Sequence, residues 1–461
     1  MSRVVVVGAG INGVTTAIEL KKRGHEVVLV DAGPLPHELA ASTDISKAVR
    51  AAYGADEDYT ALAEQSIRLW RQWNEEFGTK LYHQVGVMFV RRREMTPSDF
   101  EYESFKLLQK RGIKLMRMDA PQLWKRFPAW NPELYQDGVL EIEAGYAESG
   151  RVVATLIERA KSLGVQFTAG KFAALDESGG RVNGVAIEEQ PRNRVIPSGV
   201  ENGAAGEAAT WTGRPEAERT GSERIKSRGD SVQVVSRGPS TSLGMTRIAA
   251  DIVVMAVGAW TPYLLPFTKN FFRATGQPVF HLKPAETELF APERFPVFGA
   301  DITTTGYYGF PVNRDGVVKI ANHGPGREMS PESPKRAVTS DDEINLRKFL
   351  AETFPALADA PIVHTRVCMY CDTHDGHFWI ARDPEREGLV VAAGDNGHGF
   401  KFAPVLGEII ADATEGKDNP LLDKFRWRPE VRAGTGSDAA RLRPKTSNAQ
   451  RPTSNVEPSN G

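Results

Sequence analysis

The 461 residues exceed what one compact core holds, since domains usually run to about 100–200 residues, so two or more are expected. The formal net charge is only −2, with 57 basic residues interspersed among 59 acidic ones, which excludes a nucleic-acid tract and favours a small-molecule partner. Apolar runs such as 251–260 stop short of the roughly 18 to 20 residues a membrane-spanning helix needs. With two cysteines and no export-signal pattern, the expectation is a cytoplasmic protein without membrane contact, monomeric or weakly associating.

In chain order, Val4 to Asp31 reads VVVVGAGINGVTTAIELKKRGHEVVLVD: a buried strand, a glycine turn, a helix with Ala17, Ile18 and Leu20 inward, and a second strand. Gly8, Gly10 and Gly13 carry the GxGxxG spacing. The first permits a tight turn, the second lets backbone approach a pyrophosphate, and the third lets helix and strand pack closely. Asn12 lies in the same turn, the helix N-terminus faces the phosphates, and Asp31 is placed to accept from a ribose hydroxyl. These residues predict a dinucleotide site and leave FAD and NAD both open.

Leu62, Ser66, Leu69, Trp70, Trp73 and Phe77 share one helical face, a packing surface. Ser149 reads as the N-cap of a helix from Arg151 to about Leu163, followed by a strand at 165–167 and a hairpin through 177–188. From about Pro191 to Arg247 the chain is rich in Gly, Ser, Arg, Glu and Thr, with Trp211 its single aromatic residue. Such a stretch buries too little apolar area to fold and reads as a disordered insertion; 432–461 reads the same way. A buried strand over 251–257 then delivers the chain to Gly258, as a second pass beside a cofactor would.

The segment GYYGFPVNRDGVVKIANH reads as two strands around a turn at Asn313 to Gly316, with Lys319 and His323 on one face and Tyr308 on the partner strand. Cys368 and Cys371 could be buried hydrophobes, a redox pair or half a zinc site. No second cysteine pair and no flanking early βαβ unit support the last two. His374 and His377 read as loop residues. The strand 388–393 ends at Gly394, and Gly397, His398, Gly399 and Phe400 lead into a helix starting near Lys401. That helix N-terminus would offer positive potential to the pyrimidine ring of a flavin.

GxGxxG, a basic residue before AYG, then YYGFP, CMY and GHGFKF follow one another as in a known family. Over nearly all its length outside the insertion and tail, the chain resembles the monomeric sarcosine oxidase and N-methyl-tryptophan oxidase group of D-amino-acid-oxidase-like flavoenzymes. The resemblance implies FAD, bonded covalently through Cys368, with Lys401 and Arg50 holding the carboxylate of an amino-acid substrate; an arginine fork suits that task. It further implies that Tyr308, His323 and Tyr370 line the pocket and that Lys319, beside the flavin, promotes reaction with dioxygen as a fixed cation would. Lys47 stands where the family carries an arginine, a departure at a flavin contact, and its SKxxR form resembles the fructosyl-amino-acid oxidases.

The expected architecture is α/β: a Rossmann-like FAD domain from 1–77, 148–274 and 362–431, and a mixed-sheet α+β substrate domain from 78–147 and 275–361. The expected reaction is oxidation of a secondary amine on an amino acid, with hydride passed to flavin, the imine hydrolysed and dioxygen reduced to hydrogen peroxide. A fructosyl-amino-acid or pipecolate-type oxidase, an amine dehydrogenase using another acceptor, a non-catalytic flavin-binding protein and an NAD-dependent dehydrogenase are the alternatives.

Overall fold

Four consecutive valines, Val4 to Val7, are each at most 3% exposed, as a central parallel strand covered on both faces requires. The computed structural model describes residues 1–188 and 245–432. Strand Arg3–Val7 pairs in parallel with Glu26–Asp31 on one side and Ile252–Met255 on the other. The whole sheet has six strands, in the order Trp379–Arg382, Leu389–Ala393, Ile252–Met255, Arg3–Val7, Glu26–Asp31, Gln166–Ala169. Only the edge strand Trp379–Arg382 runs antiparallel to its neighbour. Because successive side chains alternate across a strand, Val4 and Val6 join a core with helices Ile11–Lys22, Ser149–Ser162 and Ala403–Glu415. Val5 and Val7 join a second core with a three-stranded antiparallel sheet, Lys171–Ser178, Arg181–Glu188 and Met245–Ala249.

A nine-stranded mixed sheet forms the other half. Its long strand Phe272–Leu282 pairs with Val318–Asn322 on one side and along its length with Ile362–Thr373 on the other. One face packs on helix Ser340–Thr353 through Leu346, Phe349 and Leu350, against Phe280, Phe298 and Ile320. The opposite face presents Val279, Ala321, Cys368 and Tyr370. A small fourth sheet, Lys47–Val49, Gly145–Ala147 and Tyr82–His83, holds the segment that follows the first two parallel strands. Among the described residues no helix is long and apolar enough to cross a membrane.

The helix bearing the Leu62 face spans Glu57–Phe77; Leu62, Ser66 and Trp70 are buried, the Asp56 side chain accepts the Tyr59 N–H, and left-handed Gly78 ends it. Four expectations need correction. Ser149 lies inside its helix, which begins one residue after Glu148, and its hydroxyl donates to the Asp44 carbonyl at 2.6 Å instead of capping. Residues 245–247, expected in the insertion, belong to strand Met245–Ala249, because Ile248 joins the core beneath the parallel sheet; the rest of the insertion, and the tail after 432, lie outside the described residues. Strand Ile362–Thr373, expected with the cofactor unit, adds to the nine-stranded sheet by pairing with Phe272–Leu282. The helix expected near Lys401 begins at Ala403, after a 3₁₀ turn at Phe400–Phe402, with Pro404 in its first turn.

Gly407 sets how closely helix Ala403–Glu415 approaches helix Ile11–Lys22: a Cβ there would lie 2.7 Å from the Thr15 carbonyl oxygen. Alanine would gain roughly 1 kcal/mol of helix propensity but force the helices apart, an overpacking cost of about 1–3 kcal/mol. Gly407→Ala is therefore expected to be destabilising in a denaturant melt; a stability equal to or above wild type would contradict this packing.

Candidate active site

The nucleotide end is built by the glycine turn. Gly8 has φ +100°, and a Cβ there would lie 2.5 Å from the Ala256 carbonyl oxygen; at Gly13 it would overlap the carbonyl of Gly8. Gly10, at the N-cap of Ile11–Lys22, has only the Ser42 hydroxyl nearby, at 3.4 Å from a Cβ position, and that hydroxyl accepts the Ile11 N–H at 3.3 Å, so an anion can approach the backbone closely at this helix N-terminus. Asp31 accepts the N–H of Ala9 at 2.7 Å and of Gly33 at 3.0 Å, which fixes the carboxylate beside the turn. Gly8, Gly10, Asn12, Asp31 and Gly258 line one cleft enclosing about 990 Å³ with its open mouth, and it continues to Met369 and Asp395. Asn12 Oδ1 is buried with no hydrogen-bond partner among the described residues, so its amide is available to a ligand. The glycine cradle, the helix N-terminus and the fixed acid together fit a dinucleotide such as FAD.

Beyond the cleft, strand Ile362–Thr373 sorts its cysteines to opposite faces. Cys368 packs with Val279, Ala321 and Tyr370, whereas Cys371 joins the core of the six-stranded sheet. Both thiols are free, and their opposed directions rule out a redox pair in this strand. Among the described residues no cluster could hold a metal. Lys47 Nζ lies 3.4 Å from Cys368 Sγ. Burial lowers the Lys47 pKa, but Cys368, Asp44 and Tyr308 outweigh it, and the net shift is upward. The lysine thus stays a cation beside the Cys368 sulfur.

Asp44, which the sequence does not single out, is the centre of this charge cluster. Its Oδ2 accepts Lys319 Nζ at 2.6 Å and lies 3.4 Å from Lys47 Nζ; its Oδ1 lies 3.6 Å from His281 Nε2. Burial raises the Asp44 pKa, yet Lys319, Lys47 and the His281 contact overcome it and hold the carboxyl well below its usual range. Lys319 is 1% exposed, donates also to the Ser46 carbonyl at 2.6 Å, and sits 4.6 Å from the Phe310 ring. Burial, aided by Lys47 and opposed by Asp44, brings it down to about 8.

A second group gathers around the Tyr53 ring. The Arg50 guanidinium lies 4.9 Å from the Tyr53 ring and 5.4 Å from that of Phe89, and donates to the Ala52 carbonyl. Lys401 Nζ donates to the His398 carbonyl at 2.9 Å and lies 5.4 Å from the same Tyr53 ring. The Lys401 carbonyl is held in turn by Ser66 Oγ at 2.5 Å and Trp70 Nε1 at 2.7 Å, so the helical face read as packing also positions this lysine. Burial and then Arg50 push the Lys401 pKa well down, against Asp395 and Glu141.

Glu141 and Asp395 are carboxylates that sequence reading missed; nothing in their local pattern marks them as buried. Glu141 accepts the Ala51 N–H with both oxygens, at 2.8 and 3.0 Å, and burial raises it to about 7 against that bond and Arg50. Burial likewise raises Asp395 to about 6, against the Gly397 N–H.

Tyr308, Tyr370 and His323 form a chain: Tyr308 bonds Tyr370, and the Tyr370 hydroxyl lies 3.4 Å from His323 Nδ1. Strand Val318–Asn322 ends one residue short of His323. Gly397 is where a Cβ would overlap the Tyr370 ring, so only glycine lets that loop approach. His398 Nδ1 meets the Tyr53 hydroxyl at 3.1 Å. Gly394 and Gly399 shape the same loop, and the Phe400 ring lies in the core, stacked on Trp70 at 5.8 Å.

Residues 3–212 and 216–413 match the family model described as DAO, FAD dependent oxidoreductase. The chain is 27% identical to the L-saccharopine oxidase of Schizosaccharomyces pombe, over 94% of this chain and 95% of that one. It is also 27% identical to a monomeric sarcosine oxidase of a Bacillus species, over 92% and 94%. Fructosyl amine:oxygen oxidoreductase (amadoriase I) of Aspergillus fumigatus superposes with a TM-score of 0.69 at 22% identity, covering 93% of this chain and 90% of that one, which is a likeness of fold. The dinucleotide cradle and these matches agree: the chain belongs to the DAO family of FAD-dependent oxidoreductases.

Proposed function

We propose that this protein oxidises the secondary amine of an N-substituted amino acid, that the electrons pass to FAD, and that dioxygen takes them up to give hydrogen peroxide. The observation that carries the reading is a pair of cations brought together around one ring, Lys401 buried and Arg50 half-buried. Arg50 and Lys401 share the Tyr53 ring, and each spends hydrogen bonds on backbone carbonyls. Arg50 lowers the affinity of Lys401 for its proton, and an anion between them would relieve that repulsion. A substrate carboxylate is such an anion, and the arginine fork gives it a defined orientation. Sarcosine and L-saccharopine, named for the relatives, are both secondary amines bearing carboxylates.

Bound FAD supplies the hydride acceptor. The chain's own residues orient the rest: Arg50 and Lys401 fix the carboxylate, while Tyr308, Tyr370 and His323 bound the space beside the amine. The nearby His398 is held neutral by burial, Lys401, Arg50 and His323, which lower its pKa well below the ordinary value. Lys319 brings a cation to the face where Cys368 lies, where it would stabilise charge developing on dioxygen. Cys368, with Lys47 at 3.4 Å, is the residue through which FAD would be attached covalently.

Peroxide formation from sarcosine, a bulkier N-methyl amino acid, a cyclic imino acid and a fructosyl amino acid tests the substrate class. At least one should be turned over, and Lys401→Met should lower its kcat/KM by about 10²-fold or more, an effect of roughly 3 kcal/mol that matches loss of a charged hydrogen bond. Turnover of none, or an unaffected Lys401→Met, contradicts the reading. Acid denaturation of the flavin-loaded protein should leave a yellow chromophore bound to the chain, and Cys368→Ser should release it; release from wild type excludes the attachment. Reoxidation by dioxygen is expected to slow as pH rises through about 8, because Lys319 loses its charge there; a rate that is flat or rising across that range would remove Lys319 from the step.

A further inference from the structure

We propose that His364, His281 and Asp44 form a proton path from solvent to Lys319. The inference rests on the reading of Lys319 given above. Lys319 lies directly opposite His281, and His281 directly opposite His364, across the strands Val318–Asn322, Phe272–Leu282 and Ile362–Thr373. Directly opposed residues project to one face of a sheet, so the three side chains make a single row. The row leads from full burial to water: Lys319 is 1% and His281 7% exposed, and His364 is at the surface.

The contacts along the row are close. The His281 and His364 ring centroids are 5.0 Å apart. His281 Nε2 is buried with no hydrogen-bond partner among the described residues, and it faces Asp44 Oδ1 at 3.6 Å. Asp44 Oδ2 meets Lys319 Nζ at 2.6 Å. The ladder is irregular between His281 and Leu282, and bulges of this kind re-aim side chains. A buried imidazole nitrogen left unpaired is costly, and a shift of a few tenths of an ångström would close it onto Asp44.

Reducing dioxygen to hydrogen peroxide takes two electrons and two protons. Both electrons and one proton come with the reduced cofactor, so the second proton must come from the protein. Lys319 gives it from the ammonium and is left as a neutral amine. Asp44 then loses the cation that chiefly holds its carboxyl low, takes a proton from protonated His281, and passes it to Lys319. His281 is reprotonated by His364, and His364 by water. Lys47 faces this row from strand Lys47–Val49, and Arg366 and Cys368 from strand Ile362–Thr373. Burial, His281 and Arg366 lower the His364 pKa, with Asp44 opposing.

The test is stopped-flow reoxidation of substrate-reduced, flavin-loaded protein by dioxygen, with flavin reduction measured beside it. His364→Ala alters an exposed residue and should fold. It and His281→Gln should each slow reoxidation about tenfold or more, in line with loss of a proton-transfer group, and added imidazole should restore the His364→Ala rate. Independently, ¹⁵N-histidine NMR should show the His364 titration midpoint rising in His281→Gln, as a repelling neighbour is removed. Wild-type reoxidation rates in both histidine variants, alongside a slow Lys319→Met, would overturn the path alone. A Lys319→Met variant that reoxidises like wild type would overturn the path and the reading of Lys319 together. An unmoved His364 midpoint would break the link between the two histidines and with it the path.

Discussion

A carboxylate with no exposed surface has to be met by cations, and meeting Asp44 ties the two halves of the molecule together. The idealised cost of burying one charge is many kcal/mol, and even after relaxation an unpaired one costs several. Asp44 lies just after the loop over the nucleotide cleft, whereas Lys319 belongs to the nine-stranded sheet and Lys47 to a strand of the small fourth sheet. Helix Ser149–Ser162 grips the same residue from below, since Ser149 Oγ and the Gly150 N–H both bond the Asp44 carbonyl. The loop, the sheet and the helix are therefore positioned by one residue, and the cations near Cys368 are positioned with them.

The short segment that follows separates two chemistries. Lys47 and Arg50 are three residues apart, an odd spacing that in extended backbone sends side chains to opposite sides. Lys47 accordingly reaches Cys368, while Arg50 lies over Tyr53 and Phe89. Like charges would weaken each other if all four cations shared one space. Instead Asp44 compensates Lys319 and Lys47, and Glu141 and Asp395 moderate Arg50 and Lys401.

Much of this was legible in the chain because short-range rules govern it. The glycine spacing, the four valines and the acid ending the second strand are each dictated by local geometry, and the parallel sheet follows from them. The pairing of Phe272–Leu282 with Ile362–Thr373 joins segments about 90 residues apart, a separation no periodicity reports. The same limit hid Asp44, Glu141 and His281, whose importance lies in burial and in partners distant in sequence. Ser149 misled for a related reason: a serine at a helix start suits a cap, but here the Asp44 carbonyl competes for its hydroxyl.

The central claim is that Arg50 and Lys401 make this flavoenzyme select amines that carry a carboxylate. The most direct measurement is anaerobic rapid mixing of the flavin-loaded protein with an N-alkyl amino acid that it oxidises, and with the same amine lacking the carboxylate. The account predicts that the flavin's visible absorbance is bleached rapidly by the amino acid and at least about 10²-fold more slowly by the decarboxylated amine, the scale of a lost charged contact. Equal bleaching by both would contradict it.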